Sequence, residues 1–258
     1  MKVLHFTYQM TSRFDQPVSE HYIFLRCFPQ STVRQQVENV QCAIDPQVIL
    51  SCDDDHFGNH TASGRILSAH SELLVAVSGQ VRTGLDIYEA LEPDRMKVSL
   101  FRYATPFTRP GEALSAYFQE LQLDAWLGTY EKALHIMQRL AARLHYEPGV
   151  TDIRTLAEDA FVQGNGVCQD YAHIMLALCR MAKIPARYVV GLLQGEGVTH
   201  AWVEVWCQSY WYGFDPTNNL LVNDDYIKFS HGRDYEDCLV NKGFFIGGSA
   251  QQQQIGAL

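Results

Sequence analysis

The chain has 258 residues, 47% apolar and 19% charged, which is enough apolar content for a packed core and excludes intrinsic disorder. Its net charge of −9 and pI near 5.5 set the surface against phosphate backbones, so nucleic acid is not an expected partner. No run of about 20 apolar residues occurs, which excludes a helix crossing a bilayer, and no membrane partner is expected.

Met1-Lys2-Val3-Leu4-His5-Phe6-Thr7-Tyr8 alternates like a strand. It lacks a basic region followed by an apolar stretch and a small-residue cleavage site, so the expected location is cytoplasmic. Residues 1–105 read as mostly strand, with β-rich runs at 20–28, 47–51, 65–68 and 72–81 broken by Pro, Gly, Asn and Asp. Asp55-His56-Phe57-Gly58-Asn59 reads as a tight turn between two of them, with His56 and His60 as exposed loop histidines.

Two prolines and a glycine in Thr105-Pro106-Phe107-Thr108-Arg109-Pro110-Gly111 break either kind of regular structure, so the expected division is 1–105 and 106–258. The chain beyond this break is helical in pattern, at 112–121, 127–144 and 155–162. In the second of these segments, Leu127, Tyr130, Leu134, Met137, Leu140 and Leu144 recur at three- and four-residue spacings. A helix over 168–183 is apolar on most of its circumference, which places it in the middle of a domain. Ile184-Pro185 ends it, because the residue before proline avoids the α region. Strands are expected at 186–193, 200–207 and 210–214, and a mobile polar tail at 251–254.

The seven cysteines are Cys27, Cys42, Cys52, Cys168, Cys179, Cys207 and Cys238. Their number is odd and none are spaced as a zinc pair, so no metal ligand and no cofactor is expected. All except Cys168 read as reduced, buried thiols.

Cys168 differs in its setting, because Gly164-Asn165-Gly166-Val167 delivers it to the first turn of the apolar helix. Free N–H groups there carry partial positive charge, which favours thiolate over thiol. The same groups stabilise the oxyanion formed when a thiolate attacks a carbonyl. Asp170 suits the helix dipole, which is reason enough for its presence. A thiolate nucleophile also needs a base, and the base needs an orienting group. His200 opens a strand in which His200, Trp202, Glu204 and Trp206 share one face, and the next strand ends at Asp215-Pro216. If a two-residue turn at 207–208 joins them, His200 faces Asp215 directly. With the turn at 208–209, Asp215 faces Trp202, diagonal to His200. Either register leaves His200 and Asp215 within reach on one face, whereas a three-residue loop would separate them. Singly, each residue has an ordinary explanation as a buried thiol, a core histidine or a turn former; the combination points to a Cys168–His200–Asp215 triad. Trp202 is the candidate substrate-binding residue, and Trp206 reads as core.

These residues carry a family resemblance. Gly166-Val167-Cys168-Gln169-Asp170-Tyr171-Ala172, Ile184-Pro185-Ala186-Arg187-Tyr188-Val189, His200-Ala201-Trp202-Val203-Glu204 and Gly213-Phe214-Asp215-Pro216-Thr217-Asn218 resemble the bacterial transglutaminase-like superfamily. The match runs in order over residues 155–245, and Gly232-Arg233-Asp234-Tyr235 resembles the same subgroup. The resemblance implies an α+β, papain-like core at 106–258, with a central helix on an antiparallel sheet, preceded by a β-rich N-terminal domain. It implies Cys168 as nucleophile, His200 as base and Asp215 as the residue orienting that histidine. It does not imply calcium dependence, because no calcium-loop spacing occurs. The implied reaction is acyl transfer from a peptide or protein amide through a thioester, with hydrolysis ahead of transfer to an amine. A peptide-binding or scaffold module without turnover is the alternative, and an acetyl-CoA-dependent acetyltransferase fits the motifs less well.

Overall fold

The structure is a computed structural model and describes residues 1–248 and 251–257. Strand β1 (Lys2–Leu25) buries Leu4, Phe6, Tyr8, Met10, Ser12 and Phe14 in strict alternation, then changes parity and buries His21, Ile23 and Leu25. The change falls where the pairing register slips and Glu20 adopts φ +48. A bulge of this kind bends a strand, so that its two halves pair with different neighbours in one seven-stranded sheet. The first half of β1 accordingly pairs with β5 (His70–Thr83) and β15 (Gln251–Ala257), and the second half with β4 (His60–Ile66) and β14 (Asn241–Ile246). β2 (Gln36–Asp45) lies on β5, and β3 (Ser51–Asp54) lies on β4 across the turn at Asp55. Every one of these pairings is antiparallel. The expected strand at 47–51 is displaced to β3, and Gln251–Gln254, expected to be a mobile tail, forms part of β15 on β1.

The second sheet runs β12 (Leu220–Leu221), β11 (Tyr210–Asp215), β10 (Thr199–Cys207), β9 (Ala186–Leu193), β13 (Tyr226–Gly232), with β6 (Ala90–Leu91) on β11. Helix α5 (Cys168–Met181) packs on the face carrying Ala201, Val203 and Val205. Helices α2 (Glu112–Glu120), α3 (Thr129–Ala141) and α4 (Ala157–Gln163) surround it, and a short α1 (Arg95–Ser99) precedes them. This is the expected α+β arrangement: a central helix on an antiparallel sheet, preceded by a β-rich region. Helices α2 to α5 start and stop within about three residues of their sequence-based limits, because caps and glycines are local signals, whereas α1 falls in a stretch expected to be mostly strand.

Strand β13 has no counterpart among the expected strands and is buried along its whole length. Its backbone is satisfied by side chains of the N-terminal region. Gln35 donates from Nε2 to Lys228 O and accepts from Lys228 N–H, both at 2.9 Å. Asn59 does the same for His231 O and N–H, both at 2.8 Å. Each carboxamide thus replaces a neighbouring strand. Phe229 meets Phe6 and Tyr8 edge-on at 6.0 and 6.2 Å, joining the two sheets through apolar contact.

Candidate active site

Helix α4 ends at Gly164, whose φ of +79 closes the last turn as its N–H donates to Ala160 O at 3.0 Å. β8 (Asn165–Gly166) then bridges to β7 (His145–Tyr146), and Val167 caps α5. The Val167 N–H donates to Asp170 Oδ2 at 2.8 Å, and Thr151 donates to the same oxygen at 2.7 Å. Asp170 therefore holds the entry to the helix, in keeping with its reading as a structural residue. Burial pushes its carboxyl above the ordinary value, with those two hydrogen bonds pulling the other way. Cys168 is left as the first helical residue, half-buried, where the N–H groups of the first turn point outward.

Strands β10 and β11 join through Gln208 and Ser209, both in the left-handed region at φ +51 and +74. The register Val203↔Phe214 selects the second of the two alternatives, with Asp215 opposite Trp202 and diagonal to His200. His200 Nε2 meets Asp215 Oδ2 at 2.8 Å. Cys168 lies near enough to the same ring to act on its charge, so the fold brings all three expected residues together. Burial works against a charged imidazole here. Donation to Asp215, with Cys168 and Glu196 acting in the same sense, outweighs it and pushes His200 up to about 12.

Asp215 is fixed from several sides. Asn218 Nδ2 and the Tyr226 hydroxyl donate to Oδ2 at 2.8 and 2.7 Å, while the N–H groups of Thr217 and Asn218 donate to Oδ1 at 2.9 and 3.3 Å. Burial alone would raise this carboxyl; the His200 hydrogen bond and charge, with Asn218 and Tyr226, hold it below the ordinary value.

Trp202 is fully buried. Its indole stacks on His200 at 6.3 Å between ring centroids and meets Tyr226 edge-on at 5.4 Å. It supports the imidazole from behind and presents no surface to a ligand. Gly191, paired with His200 across β9 and β10, makes this possible, since a Cβ there would lie 2.7 Å from Trp202 Cη2 and 2.0 Å from Ile227 O. Trp206 packs beside Trp211 and Phe101 and donates from Nε1 to Glu92 O at 3.1 Å, as its core reading requires.

Two residues that no sequence motif marks stand at the mouth. Glu196 Oε2 is 2.9 Å from His200 Nδ1. Tyr146, 55% exposed, lies within range of the charges of Cys168, Glu196 and His200. Tyr226 and Asn218 complete the set that sequence reasoning misses, although Asn218 comes directly after the Asp-Pro-Thr run.

The face of β10 that carries His200 also carries Glu204, with 0% exposure. Lys228 Nζ meets its two oxygens at 2.7 and 2.8 Å, Arg187 pairs with Oε2, and the Arg187 guanidinium lies 4.2 Å over the Trp211 ring. Burial would raise Glu204, but the charges of Arg187 and Lys228 hold it down. No cluster of three or more potential metal ligands occurs among the described residues, and no helix there is long and apolar enough to cross a membrane. All seven cysteines are unpaired; Cys42 and Cys52 are exposed, so the expectation of burial fails for those two edge-strand thiols.

Comparison with known proteins adds relatives to this geometry. Residues 122–216 match the Transglutaminase-like superfamily, and residues 4–82 match the Bacterial transglutaminase-like N-terminal region. An uncharacterised protein of Mycobacterium leprae is 28% identical over 99% of this chain and 96% of its own length. One from Mycobacterium tuberculosis strain H37Rv is 31% identical over 94% of this chain and 87% of its own. The crystal structure of a candidate cysteine protease from Cytophaga hutchinsonii superposes with a TM-score of 0.78 at 19% identity, covering 100% of this chain and 92% of that one.

Proposed function

This chain belongs to the transglutaminase-like superfamily, and we propose that it cleaves amide bonds of peptides or proteins through a Cys168 thioester. The observation that carries this reading is the His200–Asp215 hydrogen bond at 2.8 Å beside Cys168, the first residue of a buried helix.

In the first step the Cys168 thiolate attacks the amide carbonyl and a C–S bond forms. The oxyanion is stabilised by outward N–H groups of the first turn of α5, that of Cys168 among them. As the C–N bond breaks, the His200 imidazolium gives its proton to the leaving nitrogen. Water then attacks the thioester, passes a proton to His200 and releases a carboxylic acid and the Cys168 thiolate. Asp215 fixes the ring orientation throughout, as the orienting member of a triad does. Hydrolysis is favoured over transfer to an amine because Cys168 is half-buried rather than sealed, and Tyr146 and Glu196 beside it reach solvent. The cytoplasm is the proposed location, with neither nucleic acid nor membrane as partner.

The test is incubation with an unfolded protein and with peptide amides, with and without added amine, followed by mass spectrometry. New amino termini or free acids with wild type, absent with Cys168→Ala, support the reading. Amine adducts in place of acids would assign transfer. Equal product from both proteins would sink it, as would none from either.

A further inference from the structure

Glu196 lies on the connection 194–198 between β9 and β10, with its side chain 31% exposed. The connection is built rather than slack. Gly195 and Gly197 flank Glu196 at φ +93 and +73, a region that favours glycine. The Gln194 N–H donates to Asp225 O at 3.0 Å, the Glu196 N–H to Leu193 O at 3.2 Å, and the Ala257 N–H of β15 to Gly197 O at 2.8 Å.

Each imidazole nitrogen offers one in-plane hydrogen-bond direction. Nε2 of His200 is taken by the fully buried Asp215, which leaves Nδ1, 2.9 Å from Glu196 Oε2, as the nitrogen available to Cys168. In amide cleavage the Nδ1 proton passes to the departing nitrogen. That nitrogen must therefore come within contact of the Glu196 carboxylate. Tyr146, uncharged, stands near the same groups. Among the described residues, His200 is the one cation paired with Glu196, and its partly exposed carboxylate has acceptor capacity left toward solvent.

Resting on the amide-cleavage reading, we propose that Glu196 is the specificity-determining residue on the leaving-group side of Cys168. It selects amides whose departing amine carries a positive charge close to the scissile nitrogen, as a basic residue or a diamine does, and it disfavours those with a carboxylate there.

The test needs no substrate. Cys168 is modified with two methanethiosulfonates of matched size, one a trimethylammonium cation and one a sulfonate anion, and the rates are read by intact mass against Cys168→Ala. Wild type is expected to prefer the cation, with the preference shrinking at high salt. In Glu196→Gln the cation-to-anion ratio should fall by about tenfold, while Glu196→Asp retains most of it. An unchanged ratio in Glu196→Gln overturns the proposal and leaves the triad standing. So does a change that affects both reagents equally, since that is what a residue acting only through His200 would produce. If neither reagent prefers Cys168 in either protein, the triad reading itself falls, and this proposal with it.

Discussion

The carboxylate of Asp215 accepts from five donors, and His200 is only one of them. Its position is therefore set before the imidazole arrives, which is what an orienting residue requires. Asp215→Asn keeps the size but replaces one acceptor oxygen with a donor, and turnover should drop about 10²- to 10⁴-fold with little change in far-UV circular dichroism. Tyr226→Phe removes one of the donors to Oδ2 and leaves Asn218 in place. A several-fold loss of turnover and about 1 to 3 kcal/mol of stability are expected, read from rates and urea midpoints. A loss as large as that of Asp215→Asn would mean that Tyr226 does more than hold the carboxylate. The sequence exposes Cys168, His200 and Asp215 because a helix start, a strand start and a strand end are local features. Glu196 and Tyr226 stay hidden because their partners come from contacts across turns. For Trp202 the alternation gives the right face, but it does not show that both faces of β10 are buried, and so it hides the supporting role.

At the level of elements, β13 links the two halves of the molecule to the site. The N-terminal region fixes its backbone through Gln35 and Asn59, and its first residue, Tyr226, touches Asp215. Asn59→Ala would leave a buried N–H and a buried C=O of His231 without partners. The expected cost is about 2 to 5 kcal/mol in urea unfolding, and a cost under about 0.5 kcal/mol would contradict this account of the edge. Lys228→Met leaves Glu204 with Arg187 alone and should cost about 3 to 5 kcal/mol by the same measurement. Strand β13 is illegible in the sequence because a strand buried on both faces shows no alternation, and Lys228 makes it look exposed. The amphipathic α3 and the apolar α5 are legible because their periodicity is complete within the element. The fate of 251–257 depends on a partner strand more than two hundred residues away, which no local pattern records.

For the whole molecule, buried histidines tie stability to pH in opposite senses. Burial, then the nearby Arg180 charge, lowers His173 to about 3, and burial lowers His231 in the same direction. Both are neutral in the fold, while the unfolded chain takes up protons below about 6.5. Their contribution therefore falls as pH drops below 6.5, for His173 down toward 3. His200, raised to about 12, contributes fully below 6.5 and loses that contribution as pH rises toward 12. The urea midpoint should therefore peak near pH 6.5, and His173→Gln should flatten the acid side; a flat midpoint between pH 4 and 6.5 would contradict this. The reactive centre likewise belongs to the whole molecule, since it needs α5, β10, β11 and β13 assembled together. Burial pushes the thiols of Cys179 and Cys207 up to about 12 and about 11, so neither competes in mild acid. The most direct measurement is iodoacetamide labelling at pH 6, followed by intact mass, on native wild type, urea-unfolded wild type, Cys168→Ala and His200→Ala. One fast adduct is expected in native wild type and none in the other three. Native wild type with no fast adduct, or with one that survives Cys168→Ala, would contradict it.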